Sequence, residues 1–339
     1  KEDFPLLDYI NDDGIMVEPK WYCPIIPMVL VNGMVGIGTG FSTTIPQFNP
    51  LDCIKNIKRK LDGQPYLSLT PYYKGFTGKI QKKDQKQFIT KGKYHIDEDD
   101  KVIITELPIG KWTDDFKEFI ETTIQKEDSW IKDYENHSTD EKVKFVVTVS
   151  DETLVDLKYK KGDSIEKLFK LTSNKSLTNL HLYNNDGTIK KYNTIYQIMD
   201  DHYYTRFDMY KERKVYQINC LEKEIQLLSS KLRFINYVIE DKIKVYKQSK
   251  SSIIESLKSF EFPFYENNSV KDFVDKDIKN EYNYLLNLSV YSFTLEKVKE
   301  LEEEINTNEQ ELECIKNTTE KDMWIKELDE FEQMYKRNY

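Results

Sequence analysis

The chain of 339 residues is longer than one small core requires, and its 39 % hydrophobic and 32 % charged residues predict two or three folded units. No apolar run reaches the roughly 18 residues of a membrane-spanning helix, so no membrane partner is expected. The formal charge of −9 argues against a generic nucleic-acid binder, yet it is segregated: residues 1–49 carry −4, residues 50–95 carry +8 from eleven basic and three acidic side chains, and residues 96–339 carry −13.

The first residues, Lys1-Glu-Asp-Phe-Pro-Leu-Leu, read as an entry in mid-protein, and a fragment of something longer is expected. Asn11-Asp-Asp-Gly14 marks a turn. Pro19, Pro24 and Pro27 keep helices short or absent, so the apolar run 25–31 is expected to be a buried strand. It ends at Asn32-Gly33, and Gly33, Gly36, Gly38 and Gly40 fall within eight positions. Such a loop can be a phosphate cradle, a tight structural turn, or a surface that lets another macromolecule approach the main chain. The dinucleotide fingerprint fails because Phe41 stands where its third glycine belongs, and the P-loop fails because Thr39 replaces its lysine. What is left is backbone exposure around one aliphatic residue, Ile37. It is either a core residue in a tight turn or a wedge of the kind that DNA-bending proteins insert between base steps.

Asn49-Pro50 then supplies an N-cap and a first-turn proline. Leu51, Ile54, Ile57 and Leu61 follow at helical spacing, and Gly63 closes the helix. Lys55, Lys58, Arg59 and Lys60 lie on and around its polar side. A localised phosphate-contact surface is one reading of this basic segment, and a solvated lysine-rich face is the other. Strands are expected at 79–80, 87–89, 94–96, 102–107 and 143–149. They are interrupted by a helix capped by Thr113, with Phe116, Phe119, Ile120 and Ile124 on one face. A second helix begins near Ser164. A hairpin, 177–183 with 188–192, turns on Asn185-Asp-Gly187. This half reads as α+β.

The composition then changes abruptly: all twelve glycines lie at or before Gly187, and of the ten prolines only Pro263 follows Pro108. Ile218, Leu221, Ile225, Leu228, Leu232, Ile235 and Ile239 form a heptad seam. A helix from about 194 to about 250 would span roughly 80 Å at about 1.5 Å per residue. A second seam, Val298, Leu301, Ile305, Leu312 and Ile315, lies near the C-terminus. The insert between them, 251–294, is rich in aromatics, among them Phe260, Phe262, Phe264, Phe273, Tyr282, Tyr291 and Phe293. One helix out, a compact knob and one helix back make an antiparallel coiled-coil arm with a globular tip. The return arm, 295–339, holds fourteen acidic and seven basic residues and reads as a solvated strut. The four cysteines and four histidines are scattered without metal-site or disulfide spacing, and the cysteines read as reduced thiols.

The block Glu18-Pro-Lys-Trp-Tyr-Cys-Pro-Ile-Ile-Pro-Met-Val-Leu-Val-Asn-Gly-Met-Val-Gly-Ile-Gly-Thr-Gly-Phe-Ser42 resembles the eukaryotic-type branch of type IIA DNA topoisomerases, the topoisomerase II family. So do Pro71-Tyr-Tyr-Lys-Gly-Phe-Thr-Gly78, Thr105-Glu-Leu-Pro-Ile-Gly-Lys-Trp-Thr113, Lys190-Lys-Tyr-Asn193 and Asp322-Met-Trp324, in the same order. The resemblance implies an α+β tower domain followed by a long antiparallel coiled coil with a small helical gate domain at its tip. The end of a winged-helix region would occupy 1–29, the tower 30–193, the coiled-coil arm 194–250 and 295–339, and the dimerisation knob 251–294. Ile37 falls at the family's DNA-intercalating isoleucine. Gly36, Gly38, Thr39, Lys55, Lys58, Arg59 and Lys74 fall where DNA contacts are implied, and Tyr284, Leu285 and Leu286 at the dimer gate.

By the same resemblance the nucleophilic tyrosine, its arginine neighbour and the acidic residues that hold magnesium belong upstream of Lys1. No catalytic residue, metal or cofactor is therefore expected in this chain, whereas Mg2+ and ATP serve the full-length enzyme. The implied role is part of an ATP-dependent type II topoisomerase that binds and bends the gate DNA and forms the exit gate. The implied partners are double-stranded DNA and a second copy, and the implied location is nuclear, or viral or cytoplasmic for a viral protein. Phe41 stands where relatives often carry tryptophan, and the knob insert is short. A different reading, a coiled-coil dimerising structural or chromosome-organising protein, leaves the glycine loop and its basic neighbour unexplained.

Overall fold

The computed structural model describes residues 2–84, 86–159, 164–184, 186–264 and 282–338. Phe273 and Asn185 lie outside the described residues. The chain forms two compact units, one built from Lys1–Ile25 and Tyr204–Tyr339, the other from Ile26–Tyr203. Among the described residues no helix is long and apolar enough to cross a membrane.

The chain begins with a hairpin of the first unit, β1 (Tyr9–Asp12) and β2 (Ile15–Pro19), closed by Asp13 and Gly14, both with positive φ. The second unit then starts with a helix, α1 (Met28–Asn32), where a buried strand is expected. A short apolar run does not distinguish the two. Pro27 at the N-cap and Gly33 just past the end, with φ +67°, are helix start and stop signals that decide the matter. Leu30 is fully buried.

The glycine stretch is an antiparallel hairpin, β3 (Met34–Gly38) with β4 (Phe41–Ile45). Next comes α2 (Pro50–Leu61), where the Asn49 side chain accepts from the Leu51 amide and Cys53, Ile54 and Ile57 turn inward. Four further strands follow, β5 (Lys79–Lys82), β6 (Gln87–Lys91), β7 (Lys93–Ile96) and β8 (Val102–Glu106), then α3 (Thr113–Ile124). The N-cap of α3 is Trp112 without a side-chain cap, so Thr113 is its first residue rather than its cap. Beyond it lie β9 (Ile131–Asn136), β10 (Phe145–Val149), α4 (Asp151–Tyr159), α5 (Ser164–Leu168), β11 (Thr172–Ser176) and the hairpin β12 (Leu180–Tyr183) with β13 (Ile189–Tyr192).

One antiparallel sheet has the order β7-β8-β10-β9 and another the order β11-β6-β5. Val102, Ile104, Phe145 and Val147 of the first sheet pack with Phe116 and Ile120 of α3 into the unit's core. β9 and β11 escape the sequence pattern for a shared reason. Both are edge strands. Edges exchange main-chain hydrogen bonds without having to supply core side chains, and of β9 only Ile131 is buried.

The long helix, α6 (Ile195–Ile239), has 45 residues and extends about 68 Å at about 1.5 Å per residue. It stops short of the expected 250 because Asp241 and Lys247 take positive φ. The first unit continues through α7 (Lys250–Ser259), α8 (Asn283–Leu286), α9 (Leu295–Asn317) and α10 (Glu320–Asn338). The return is therefore two helices, not one. Thr318 is extended and the Thr319 hydroxyl accepts from the Asp322 amide at 3.1 Å, a capping interaction that starts a new helix.

Leu228 and Ile235 of α6 pack on Leu301 of α9, and Lys316 pairs with Glu222 at 2.7 Å. Partners that rise along α6 thus fall along α9, so the pair is antiparallel. Phe234, Ile243, Leu257, Phe262, Tyr282 and Leu285 form a separate small core beside it. Deep in the same unit, Arg206 donates to Asp3 at 2.6 Å and to the Cys23 carbonyl at 2.9 Å. Arg213 reaches Asp3, Glu2 and Glu327, and Trp324 donates to the Ile25 carbonyl. Two buried guanidiniums thereby tie the N-terminal segment to α6 and α10, and each has the carboxylate partners that a buried charge requires.

Candidate nucleic-acid interface

The β3–β4 hairpin pairs Met34 with Ile45, Gly36 with Thr43, Ile37 with Ser42 and Gly38 with Phe41, leaving Thr39 and Gly40 as its turn. Its root is anchored: Ile45 and Phe48 are buried, Phe48 donates to the Leu30 carbonyl at 2.8 Å, and Gln47 donates to the Asn32 carbonyl at 3.0 Å. Its tip is bare. Ile37 is 91 % exposed and Val35, two residues away on the same face, is 80 % exposed. Ile37 is therefore not a core residue in a turn.

The four glycines separate into two kinds. Gly33 and Gly40 have φ of +67° and +81°, which favours glycine, and a Cβ at Gly33 would sit 2.9 Å from the Gln47 side chain. These two serve the chain's own fold. Gly36 and Gly38 are different: a Cβ there would meet its nearest non-neighbouring atom at 3.7 Å, an ordinary contact, and neither has positive φ. Among the described residues nothing requires glycine at these two positions. Their effect is external, since they leave a ribbon that is bare main chain on either side of one aliphatic side chain.

The basic residues lie close in sequence and, in part, in space. β4 leads through 46–49 into α2, on which Lys55 is exposed and Lys58 and Arg59 are half-buried. Arg59 donates from Nε to the Pro65 carbonyl at 2.9 Å, which fixes the guanidinium at the helix end. Lys74 is exposed in a stretch held against the hairpin root, where Tyr72 donates to the Gln47 carbonyl and Pro71 bridges to Phe48. Not every lysine of the basic segment faces outward. Lys60 pairs with Asp200 at 2.8 Å and lies over the Tyr66 ring, and Lys91 pairs with Glu166 at 2.9 Å with both side chains largely covered.

Sequence reasoning missed the residues that brace the hairpin from the side. The Asn179 carbonyl accepts from the Thr44 amide at 2.8 Å, and the Asn179 side chain donates to the Ser42 hydroxyl at 2.8 Å. The His181 ring contacts the Ser42 carbonyl at 2.9 Å and the Phe41 ring edge-on at 5.9 Å. A polar pair just before and within a short strand gives no periodic signal, so only the fold reveals it. Asn56 was also missed: buried on α2, it accepts from the Leu67 amide at 2.6 Å and donates to the Asp52 carbonyl.

The residues expected at a dimer gate lie mostly inside the knob. Leu285 is 1 % exposed in its core, Tyr284 and Leu286 pack against that core, and the Tyr284 hydroxyl donates to the Pro263 carbonyl. Among the described residues nearby, Val290, Tyr291 and Leu295 are the most exposed apolar side chains, with Phe260 and Phe264 also partly outward.

Burial lowers Lys111, with Lys170 adding to it, and Lys175, whereas the shifted thiols and phenols are all held in their protonated form. Burial raises the Cys23 thiol and, with Asp52 adding to it, pushes Cys53 up to about 12. Burial also raises Tyr73, and a hydrogen bond to Glu121 pushes Tyr134 up to about 12. All of these move away from the ionised, nucleophilic form. Among the described residues no three His, Cys, Asp or Glu side chains gather in a way that could hold a metal ion.

A family model for the A subunit of DNA gyrase/topoisomerase IV matches residues 1–329, and the chain belongs to this family. Its similar curated relatives are named DNA topoisomerase 2. The one from Plasmodium falciparum is 35 % identical over 98 % of this chain and 25 % of its own length. That from Saccharomyces cerevisiae is 34 % identical over 98 % and 25 %, and that from Acanthamoeba polyphaga mimivirus 32 % identical over 98 % and 31 %. A crystal structure of the Plasmodium falciparum topoisomerase II DNA-binding, cleavage and re-ligation domain superposes with a TM-score of 0.82 at 33 % identity, covering 99 % of this chain and 48 % of that one. The chain thus spans about a quarter to a third of the length of these curated relatives.

Proposed function

We propose that the chain is part of an ATP-dependent type II DNA topoisomerase, an isomerase, in which residues 30–193 act as the tower that binds and bends a DNA duplex. The observation that carries this reading is Ile37, the most exposed side chain of the hairpin's apolar residues, set near its tip between two glycines that the described fold does not need. Inserted between two base steps, an aliphatic wedge offsets part of the few kcal/mol of unstacking by leaving water, and the bend brings more of the flanking duplex onto the protein. Gly36, Gly38 and Thr39 would let phosphates and bases approach the main chain, while Lys55, Lys58, Arg59 and Lys74 would neutralise backbone phosphates.

Within this reading segments 194–250 and 295–339, with α6 running antiparallel to α9, form an arm, and the knob of 251–294 forms the gate at which two copies meet. Tyr284, Leu285 and Leu286 would support the gate from within, and Val290, Tyr291 and Leu295 would face the partner. The family's tyrosine, magnesium site and ATP site would belong to other parts of the whole enzyme, which Mg2+ and ATP would serve. A nuclear location, or a viral or cytoplasmic one for a viral protein, goes with this function.

The test is Ile37→Ala, with duplex bending read by energy transfer between the DNA ends. Loss of about three CH2 equivalents at about 0.8 kcal/mol each should lower the bent population by up to roughly fiftyfold, while thermal stability stays within about 0.5 kcal/mol, as for any exposed residue. Bending by the variant equal to that by the parent chain overturns the wedge.

A further inference from the structure

A wedge can bend DNA only if its own support resists the opposing load, and a two-stranded ribbon alone is marginally stable in water. The β3–β4 ribbon is a sheet of two strands. Its lateral support comes from residues 179–181, and the support converges on Ser42, the cross-strand partner of Ile37. The Asn179 side chain donates to the Ser42 hydroxyl at 2.8 Å, and the His181 amide donates to the Thr43 hydroxyl at 3.3 Å. His181 Nδ1 lies 2.9 Å from the Ser42 carbonyl and 3.0 Å from Asn179 Oδ1. Both neighbours of that nitrogen are acceptors, and a carbonyl oxygen can only accept, so Nδ1 carries the proton and donates. The ring also meets the edge of Phe41, which follows the turn.

We infer that His181 is a positioning residue for DNA bending: its Nδ1–H, donated to the Ser42 carbonyl, holds the strand opposite Ile37 at the angle from which the wedge enters the duplex, with Asn179 as its second anchor. The inference rests on the reading that the hairpin inserts into DNA. It adds that bending strength is set by side chains outside the DNA-contact set, on a strand more than 130 positions away in sequence. The chemistry separates two quantities that a wedge alone would link. Overall duplex affinity comes mainly from lysine–phosphate contacts, which the brace does not touch, whereas the bent fraction depends on the stiffness of the ribbon.

The experiment uses the full chain and three variants, Ile37→Ala, His181→Ala and His181→Asn. Asparagine places an N–H close to the position of Nδ1. Duplex affinity, the bent fraction and DNA-free amide exchange across β3–β4 are measured for each. The expectation for His181→Ala is faster exchange in the hairpin, affinity within about twofold of the parent, and a bent fraction reduced about three- to tenfold, the range that loss of one or two hydrogen bonds allows. His181→Asn should restore both the exchange rates and the bend. If Ile37→Ala lowers bending but His181→Ala does not, the brace is overturned while the wedge stands. Failure of His181→Asn to restore the bend also overturns it, because the role is then not hydrogen bonding. If Ile37→Ala itself leaves bending intact, the underlying reading fails and the brace falls with it.

Discussion

Single residues divide into those that serve the fold and those that the fold leaves unused. Gly33 and Gly40 are required by backbone conformation, Gly36 and Gly38 are not, and the cluster looks uniform until φ angles and Cβ clearances are known. Lys60 and Lys91 are drawn into internal ion pairs, whereas Lys55 and Lys74 stay exposed, a distinction that eleven similar basic letters do not reveal. Cys53 belongs to the fold. Fully buried on α2, its thiol is raised from 9.0 to about 12, so below pH 9 both folded and unfolded chains keep the proton and the full stabilisation is present. Between about 9 and 12 the unfolded chain ionises first, and that stabilisation is lost as pH rises. In native protein at pH 8 an alkylating reagent should therefore modify the exposed Cys220 and Cys314 and spare Cys53. Rapid labelling of Cys53 under those conditions would contradict its burial.

At the scale of elements, the pattern was most legible where a helix carries its own punctuation. Asn49-Pro50 and the 51/54/57 spacing place α2 correctly, and the β-branched strands β8 and β10 form the middle of their sheet. The pattern was weakest where the neighbours decide. The run 25–31 became a helix because proline and glycine frame it, and the polar edge strands β9 and β11 gave no hydrophobic signal. The placement of α2 next to the hairpin root leads to a measurement. Replacing Lys55, Lys58 and Lys74 together by alanine should leave the fold intact and reduce the slope of log affinity against log salt by about 0.9 for each phosphate no longer neutralised. An unchanged slope would mean that these lysines are a solvated face and that the duplex lies elsewhere.

For the whole molecule, the two units have different kinds of core. The unit of Ile26–Tyr203 closes around an antiparallel sheet covered by α3, as expected of an α+β body. The other gathers residues far apart in the chain, with Asp3, Arg206, Arg213 and Glu327 joined in one ionic cluster, and no periodicity announces it. The gate reading belongs at this scale. In sedimentation the chain should be a homodimer, and Val290→Glu with Tyr291→Glu should give monomers, because charged side chains are poorly tolerated at the desolvated centre of an interface. Leu285→Ala should instead lower stability by about 2–5 kcal/mol through the knob's own core. A monomeric parent chain, or a dimer that survives both charges, would place the contact between copies on another surface.

The sequence by itself determined the family, the α+β character of the first half and the long helix with its antiparallel return, and it singled out Ile37 as an aliphatic residue flanked by glycines. These are written in local spacing, in breakers and in one long motif, all of which act along the chain. Only the tertiary structure decided that Ile37 points into solvent, that Gly36 and Gly38 have no internal purpose, that some lysines are already paired, and that Asn179 and His181 brace the hairpin. Those facts depend on which distant residues fold against one another. The hydrogen bond between His181 and the Ser42 carbonyl joins positions 139 apart, and nothing in the local pattern of either segment specifies the other.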